Sequence, residues 1–108
     1  MKNNIVSGYN LNEYKEEIVN LAKAKKWGND FAWLFYGCYK ELGELSIAIE
    51  NKQEYKYGSE FAGIMHYILQ LMHKINPHLD LDIALWKEID RNYHRKKKTY
   101  LNGKIVRK

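Results

Sequence analysis

Glu41 and Glu44 stand three residues apart in a segment that is otherwise largely apolar, with Leu42, Leu45 and Ile47 among its members. Glu60 directly precedes the most apolar stretch of the chain. On a helix, residues three apart share a face and lie within a turn of one another. If the segment that Glu60 opens returns antiparallel beside the first, three carboxylates converge between two helices. Convergence of that kind is costly, because like charges repel and loss of solvent penalises each charged group. A divalent cation offsets the cost, and magnesium takes oxygen ligands while leaving places for water and phosphate oxygens. The same spacing also suits glutamates on a solvated helix surface, so the carboxylates define a candidate site that other residues must support.

Four helices are expected to position these groups. Asn10 and Glu13 have the spacing of a capping box, and Leu11, Tyr14, Ile18, Leu21 and Ala22 keep helical period to about Lys26. Gly28 can close this helix and Asp30 can cap the next. The second helix should run from Phe31 to about Asn51. Its apolar face carries Phe31, Leu34, Phe35, Cys38, Leu42, Leu45 and Ile49, beside a small and acidic stripe of Gly37, Glu41, Glu44 and Ala48. Trp33, Tyr36 and Tyr39 fill much of the rest, and a helix apolar over most of its circumference belongs at the centre of a bundle.

Residues 52–58 read as a polar connection, with Ser59 as the cap of a third helix. Phe61, Ile64, Met65, Ile68, Leu69, Met72 and Ile75 form its apolar stripe, and Asn76-Pro77 ends it. Asp80 or Asp82 caps a fourth helix, with Ile83, Leu85, Trp86, Ile89 and Tyr93 facing inward. Asn102-Gly103 signals a turn, and 104–108 reads as a short extended or disordered tail. No segment alternates with period two for long, so a sheet is not expected. The reading is all-α: an antiparallel four-helix bundle-like domain over residues 1–108, with a basic C-terminal tail from about 99.

Composition narrows the function classes. With 108 residues there is room for one domain, and oligomerisation is a common way for so small a domain to bury more surface. The single cysteine, Cys38, excludes an internal disulfide and a cysteine-based zinc site. Residues 1–5 hold no apolar stretch long enough for a signal peptide or membrane span, which suits a cytoplasmic protein. The net charge of +5 is uneven: residues 91–108 carry eight Lys or Arg and no acid, leaving the first 90 at −3. Such a tail suits a polyanion, be it triphosphate, nucleic acid or anionic membrane, or else simply complements a helix C-terminus. Glycine-rich phosphate loops are absent. His66, His73, His78 and His94 lack the close pairing of a zinc site, so His66 and His73 read as structural and Cys38 as an inert buried thiol.

The segment Lys40-Glu41-Leu42-Gly43-Glu44-Leu45-Ser46-Ile47-Ala48-Ile49-Glu50 resembles the Glu-x-x-Glu helix of the MazG-like and dCTP-pyrophosphatase-like families. Glu60-Phe61-Ala62-Gly63-Ile64-Met65-His66-Tyr67 is similar to their following Glu-x-x-Asp helix, and 81–95 to their last bundle helix, the likeness covering about 27–98. The resemblance implies the all-α NTP pyrophosphatase fold and a Mg²⁺-dependent hydrolysis of a nucleoside triphosphate to monophosphate and pyrophosphate, with Mn²⁺ as an alternative ion. It implies Glu41, Glu44 and Glu60 as metal-binding catalytic residues, and Asn92, Arg95 and Lys96 as phosphate ligands. Trp27, Phe31 and Trp33 fall where related enzymes hold the base, and a homodimer or homotetramer is implied. Two departures stand out: Lys40 replaces the first of two adjacent glutamates, and Gly63 replaces the aspartate, itself a metal ligand. Gly63 raises a second reading, a homologue that binds nucleotide without turnover; a third is a helical nucleic-acid-binding module using the basic tail. The nucleotide and the pathway are not specified by the sequence.

Overall fold

The computed structural model describes residues 9–95, 98–101 and 104–107. Helix α1 spans Leu11–Lys25, α2 Phe31–Glu50, α3 Tyr57–Ile75 and α4 Leu81–Tyr93; two strands follow, β1 Lys98–Leu101 and β2 Lys104–Arg107. Among the described residues no helix is long and apolar enough to cross a membrane.

Short polar side chains set three of the four helix starts. The capping box at α1 forms as its spacing implies: the Glu13 N–H donates to Asn10 Oδ1 at 2.9 Å and the Asn10 N–H to Glu13 Oε1 at 3.3 Å. Asp30 accepts from the Trp33 N–H at 2.7 Å to open α2, and Asp80 from the Ile83 N–H at 3.0 Å to open α4. The start of α3 differs from expectation. A 3-10 turn at Glu54–Lys56 runs directly into the helix, which begins at Tyr57, and Ser59 lies inside its first turn with its hydroxyl donating to the Lys56 carbonyl at 3.1 Å. The end of α1 differs too. Lys26, not Gly28, takes the left-handed conformation (φ 58°), which lets the Trp27 N–H bond back to the Ala22 carbonyl at 3.0 Å and turns Trp27 toward α3.

The order of packing corrects the expected centre. Among the α-helices α2 packs against α3 alone, whereas α3 packs against both α2 and α1. Helix α2 runs antiparallel to α3, since Glu41 and Glu44 meet Glu60 while Gly37, earlier in α2, meets Tyr67, later in α3. The reversal is made at Lys52 (φ 56°), after which the Gln53 N–H returns to the Ala48 carbonyl at 2.8 Å. The buried residues of α2 are Leu34, from the expected apolar face, and Gly37 and Ala48, from the small and acidic stripe beside it. The reason is distance. At Gly37 a Cβ would stand 2.2 Å from the Tyr67 ring, so the ring lies directly on the α2 backbone, and small residues permit that approach. Phe31, Phe35, Leu42 and Ile49, expected inside, are exposed.

The core is completed by Val19 of α1 and by Leu69 and Leu71 of α3, each leucine contributing roughly 2 kcal/mol by its removal from water. Helix α4 meets α1 alone, and the hydrogen bonds between them gather at their N-termini. Asp82 accepts from the backbone N–H groups of Leu11 (3.0 Å) and Asn12 (3.3 Å), while Asn12 Oδ1 accepts from the Leu81 N–H (2.9 Å). Each helix thus caps the other. Beyond the buried Leu81, the α4 residues expected to face inward (Ile83, Leu85, Trp86, Ile89 and Tyr93) are exposed, because among the described elements α1 alone packs on α4.

The C-terminal strands pair antiparallel with Leu101 opposite Lys104 and Lys98 opposite Arg107. A sheet was not expected. Two-residue alternation is too brief here to register, yet Thr99, Tyr100, Ile105 and Val106 are strand formers, and Asn-Gly between such segments is a strong hairpin signal. Asn102 and Gly103 themselves lie outside the described residues. The body is all-α, carrying a small two-stranded hairpin.

Candidate functional site

The antiparallel α2–α3 pair brings the three carboxylates together. Glu41, Glu44 and Glu60 each present an oxygen, and all three lie within 4.8 Å of one another. Glu41 and Glu60 are half-buried and Glu44 is exposed. Glu60 Oε2 is buried and has no hydrogen-bond partner among the described residues. The Glu41 carboxyl titrates above the ordinary glutamate value of 4.5. Loss of solvent is the first cause, and the hydrogen bond and charge of Glu60 and the charge of Glu44 add to it. Gly63 shapes the cluster: a Cβ there would lie 2.7 Å from Glu41 Oε2, so the Glu41 carboxylate rests in the space that any larger residue at 63 would enter. An all-oxygen donor set with one buried, orphaned carboxylate oxygen suits a hard divalent cation.

Two concavities flank the carboxylates. The larger, about 490 Å³, is walled by Trp27, Trp33, His66 and Tyr67, with Gln70 at one end of its α3 wall and Gly63 near the other. Its volume is in the range of roughly 300–1,000 Å³ usual for small-molecule sites. Gly63 is therefore shared: it lines the aromatic cavity and touches Glu41. The smaller, about 270 Å³, is lined by Glu44, Ile47, Gln53, Lys56 and Glu60, placing one cation beside two of the carboxylates.

No protein-family model, characterised protein or solved structure matches this chain. The site must be read from its own residues.

Of the residues singled out from sequence, the structure unites Glu41, Glu44 and Glu60 and sets Trp27 and Trp33 in the cavity next to them. Phe31 is not part of that wall; its ring lies under the Lys74 ammonium, 4.9 Å from the ring centre. Asn92 and Arg95 are not brought to the carboxylates within one chain. They lie exposed at the end of α4, which touches neither α2 nor α3. Lys96 lies outside the described residues. In the same region Arg91 is engaged by Glu88 at 3.1 Å.

Sequence reasoning missed His66, Tyr67, Gln70 and Lys56. The first three follow Gly63 at three, four and seven residues, the helical repeat that would have placed them on the face of α3 carrying Glu60 and Gly63. His66 had been read as structural, yet it lines the cavity, its ring 6.3 Å from that of Trp27, and burial pushes its pKa down from 6.5. Burial likewise raises the Cys38 thiol, which keeps it neutral and agrees with an inert role.

Proposed function

We propose that the chain is a divalent-cation-dependent nucleoside triphosphate pyrophosphohydrolase, releasing nucleoside monophosphate and pyrophosphate. The observation that carries this reading is the convergence of Glu41, Glu44 and Glu60 within 4.8 Å against an aromatic-walled cavity. Mg²⁺ or Mn²⁺ held by the three carboxylates would supply charge neutralisation for the triphosphate oxygens. The chain's own residues do the rest. A water oxygen bonds to the α-phosphorus as the bond from that phosphorus to the α,β-bridging oxygen breaks, and pyrophosphate departs. Glu41, whose carboxylate lies against Gly63 at the edge of the aromatic cavity, takes the water's proton. Lys56, beside Glu44 and Glu60, offsets charge on the departing pyrophosphate. Asn92, Arg95 and Lys96 would join only if supplied by another copy, which fits a homodimeric or homotetrameric assembly.

A second reading rests on Gly63. Position 63 offers no ligand, and Glu41 occupies the space beside it, so three carboxylates stand where the family resemblance implies four. This favours a protein that binds a nucleotide and does not turn it over.

Pyrophosphate release from a panel of nucleoside triphosphates, with and without Mg²⁺, separates the two. Metal-dependent release that falls at least a hundredfold in Glu41→Gln is the expected result. Silence that Gly63→Asp converts into release would establish the binding-only reading. The new side chain has room if Glu41 swings aside, since the atoms in its way are the far end of a flexible chain. Silence in all variants would return the carboxylates to plain helix surface.

A further inference from the structure

We propose that His66 selects the base: its neutral imidazole reads the hydrogen-bonding edge of a heteroaromatic ring held in the cavity by Trp27 and Trp33. The proposal rests on reading the chain as a nucleotide-binding protein, though not on its turning the nucleotide over.

The cavity is bordered by four aromatic rings, those of Trp27, Trp33, His66 and Tyr67. Such walls bind planar rings by stacking, a contact that every base can make and that gives little discrimination by itself. Selection needs polar groups with unused hydrogen-bonding capacity, and two of the polar side chains lining this cavity already spend a donor on the backbone. The Gln70 amide N–H donates to the His66 carbonyl at 3.0 Å, and the Ser59 hydroxyl donates to the Lys56 carbonyl at 3.1 Å. The Tyr67 ring lays its face on the α2 backbone at Gly37. The His66 ring nitrogens make no hydrogen bond among the described residues, and the ring's aromatic neighbour is Trp27.

Burial lowers the His66 pKa, so near neutral pH one ring nitrogen donates and the other accepts. The two nitrogens point in diverging directions, so one of them meets a single polar group on a base edge, and a ring lacking the complement leaves that nitrogen unpaired. The position along α3 also fits. His66 is three residues beyond Gly63, about 4.5 Å along the helix axis, and Gly63 abuts the Glu41 carboxylate. A ring beside His66 therefore points its sugar and phosphates toward the carboxylates, without crossing another element.

The test is equilibrium binding of cytidine, uridine, adenosine and guanosine, and of their monophosphates, followed by tryptophan fluorescence without divalent metal. The proteins are the unmodified chain, His66→Phe and His66→Gln. The unmodified chain should prefer one base by at least about tenfold, the worth of one net hydrogen bond. His66→Phe should keep binding while losing that preference, and His66→Gln, which retains a donor and an acceptor, should keep part of it. The nucleosides carry no phosphate to meet the carboxylates, so failure of the hydrolysis reading and failure of this one remain distinguishable. Equal binding of all four bases by the unmodified chain, binding of none, or an unaltered preference in His66→Phe would each overturn the proposal.

Discussion

At position 63 the lack of a side chain lets Glu41 lay its carboxylate onto α3, next to Glu44 and Glu60, and the consequence is a titration. Because the folded state raises the Glu41 pKa, it binds that proton more tightly than the unfolded chain does. The associated stability is complete below the ordinary glutamate value of 4.5 and is lost as pH rises through the higher folded value. At neutral pH the ionised cluster is thus a net cost. Glu41→Gln should raise the melting temperature by a few degrees at pH 7 and leave it nearly unchanged at pH 4, as thermal unfolding at the two values would show. Mg²⁺ should stabilise the unmodified chain at pH 7 and do so less in the variant; a variant less stable than the parent at pH 7 would contradict this account. The carboxylates were legible because three-residue spacing and one antiparallel return suffice to bring them together. His66 was not, since a histidine on an apolar face reads the same whether it faces a core or a cavity.

Among the elements, periodicity and capping chemistry located all four helices, because both are local properties of the chain, though α3 begins three residues before the start that a Ser59 cap implies. They did not reveal which face would be covered. Hydrophobicity marks surfaces that gain from burial but not their partners, and on α2 the closer approach allowed by Gly37 and Ala48 outweighed the larger apolar face. The joint between α1 and α4 was invisible for another reason: Asp82 and Leu11 are 71 residues apart, and nothing local couples them. Closing a loop of that length costs about 4 kcal/mol in chain entropy, against a few polar contacts at the joint. The α2–α3 hairpin closes over far fewer residues and holds most of the buried leucines. Amide hydrogen exchange should therefore find α4 and the first turn of α1 opening well before α2 and α3. Uniform protection across the four helices would show a tighter docking of α4 than these contacts provide.

For the molecule as a whole, the radius of gyration is 16.8 Å, where a compact chain of this length has about 13 Å. The excess fits an α4 that does not fold back onto the body. Large apolar side chains remain open on two surfaces: the outer stripe of α2, with Phe35, Tyr39, Leu42 and Ile49, and α4, with Trp86 63% exposed. In the proposed homo-oligomer a second copy would cover both faces at once. Sedimentation at micromolar concentration should find a dimer or tetramer. Leu42→Lys and Trp86→Lys should each shift it toward monomer without loss of helix content; a monomeric parent chain would exclude self-association. Sequence alone led to a bundle because it showed how much surface asks to be buried, and the single chain answers only part of that demand.

The contact of Tyr67 with Gly37 has a bearing on descent. With the ring 2.2 Å from where a Cβ would stand, any lineage that keeps this hairpin can enlarge residue 37 only by shrinking residue 67 or by prising the helices apart. The two positions are bound to change together. Carboxylates can drift once the chemistry they serve is dispensable, whereas a glycine pressed against a ring is maintained by the fold itself. Kinship to this chain is written more durably in that pair than in its acidic residues.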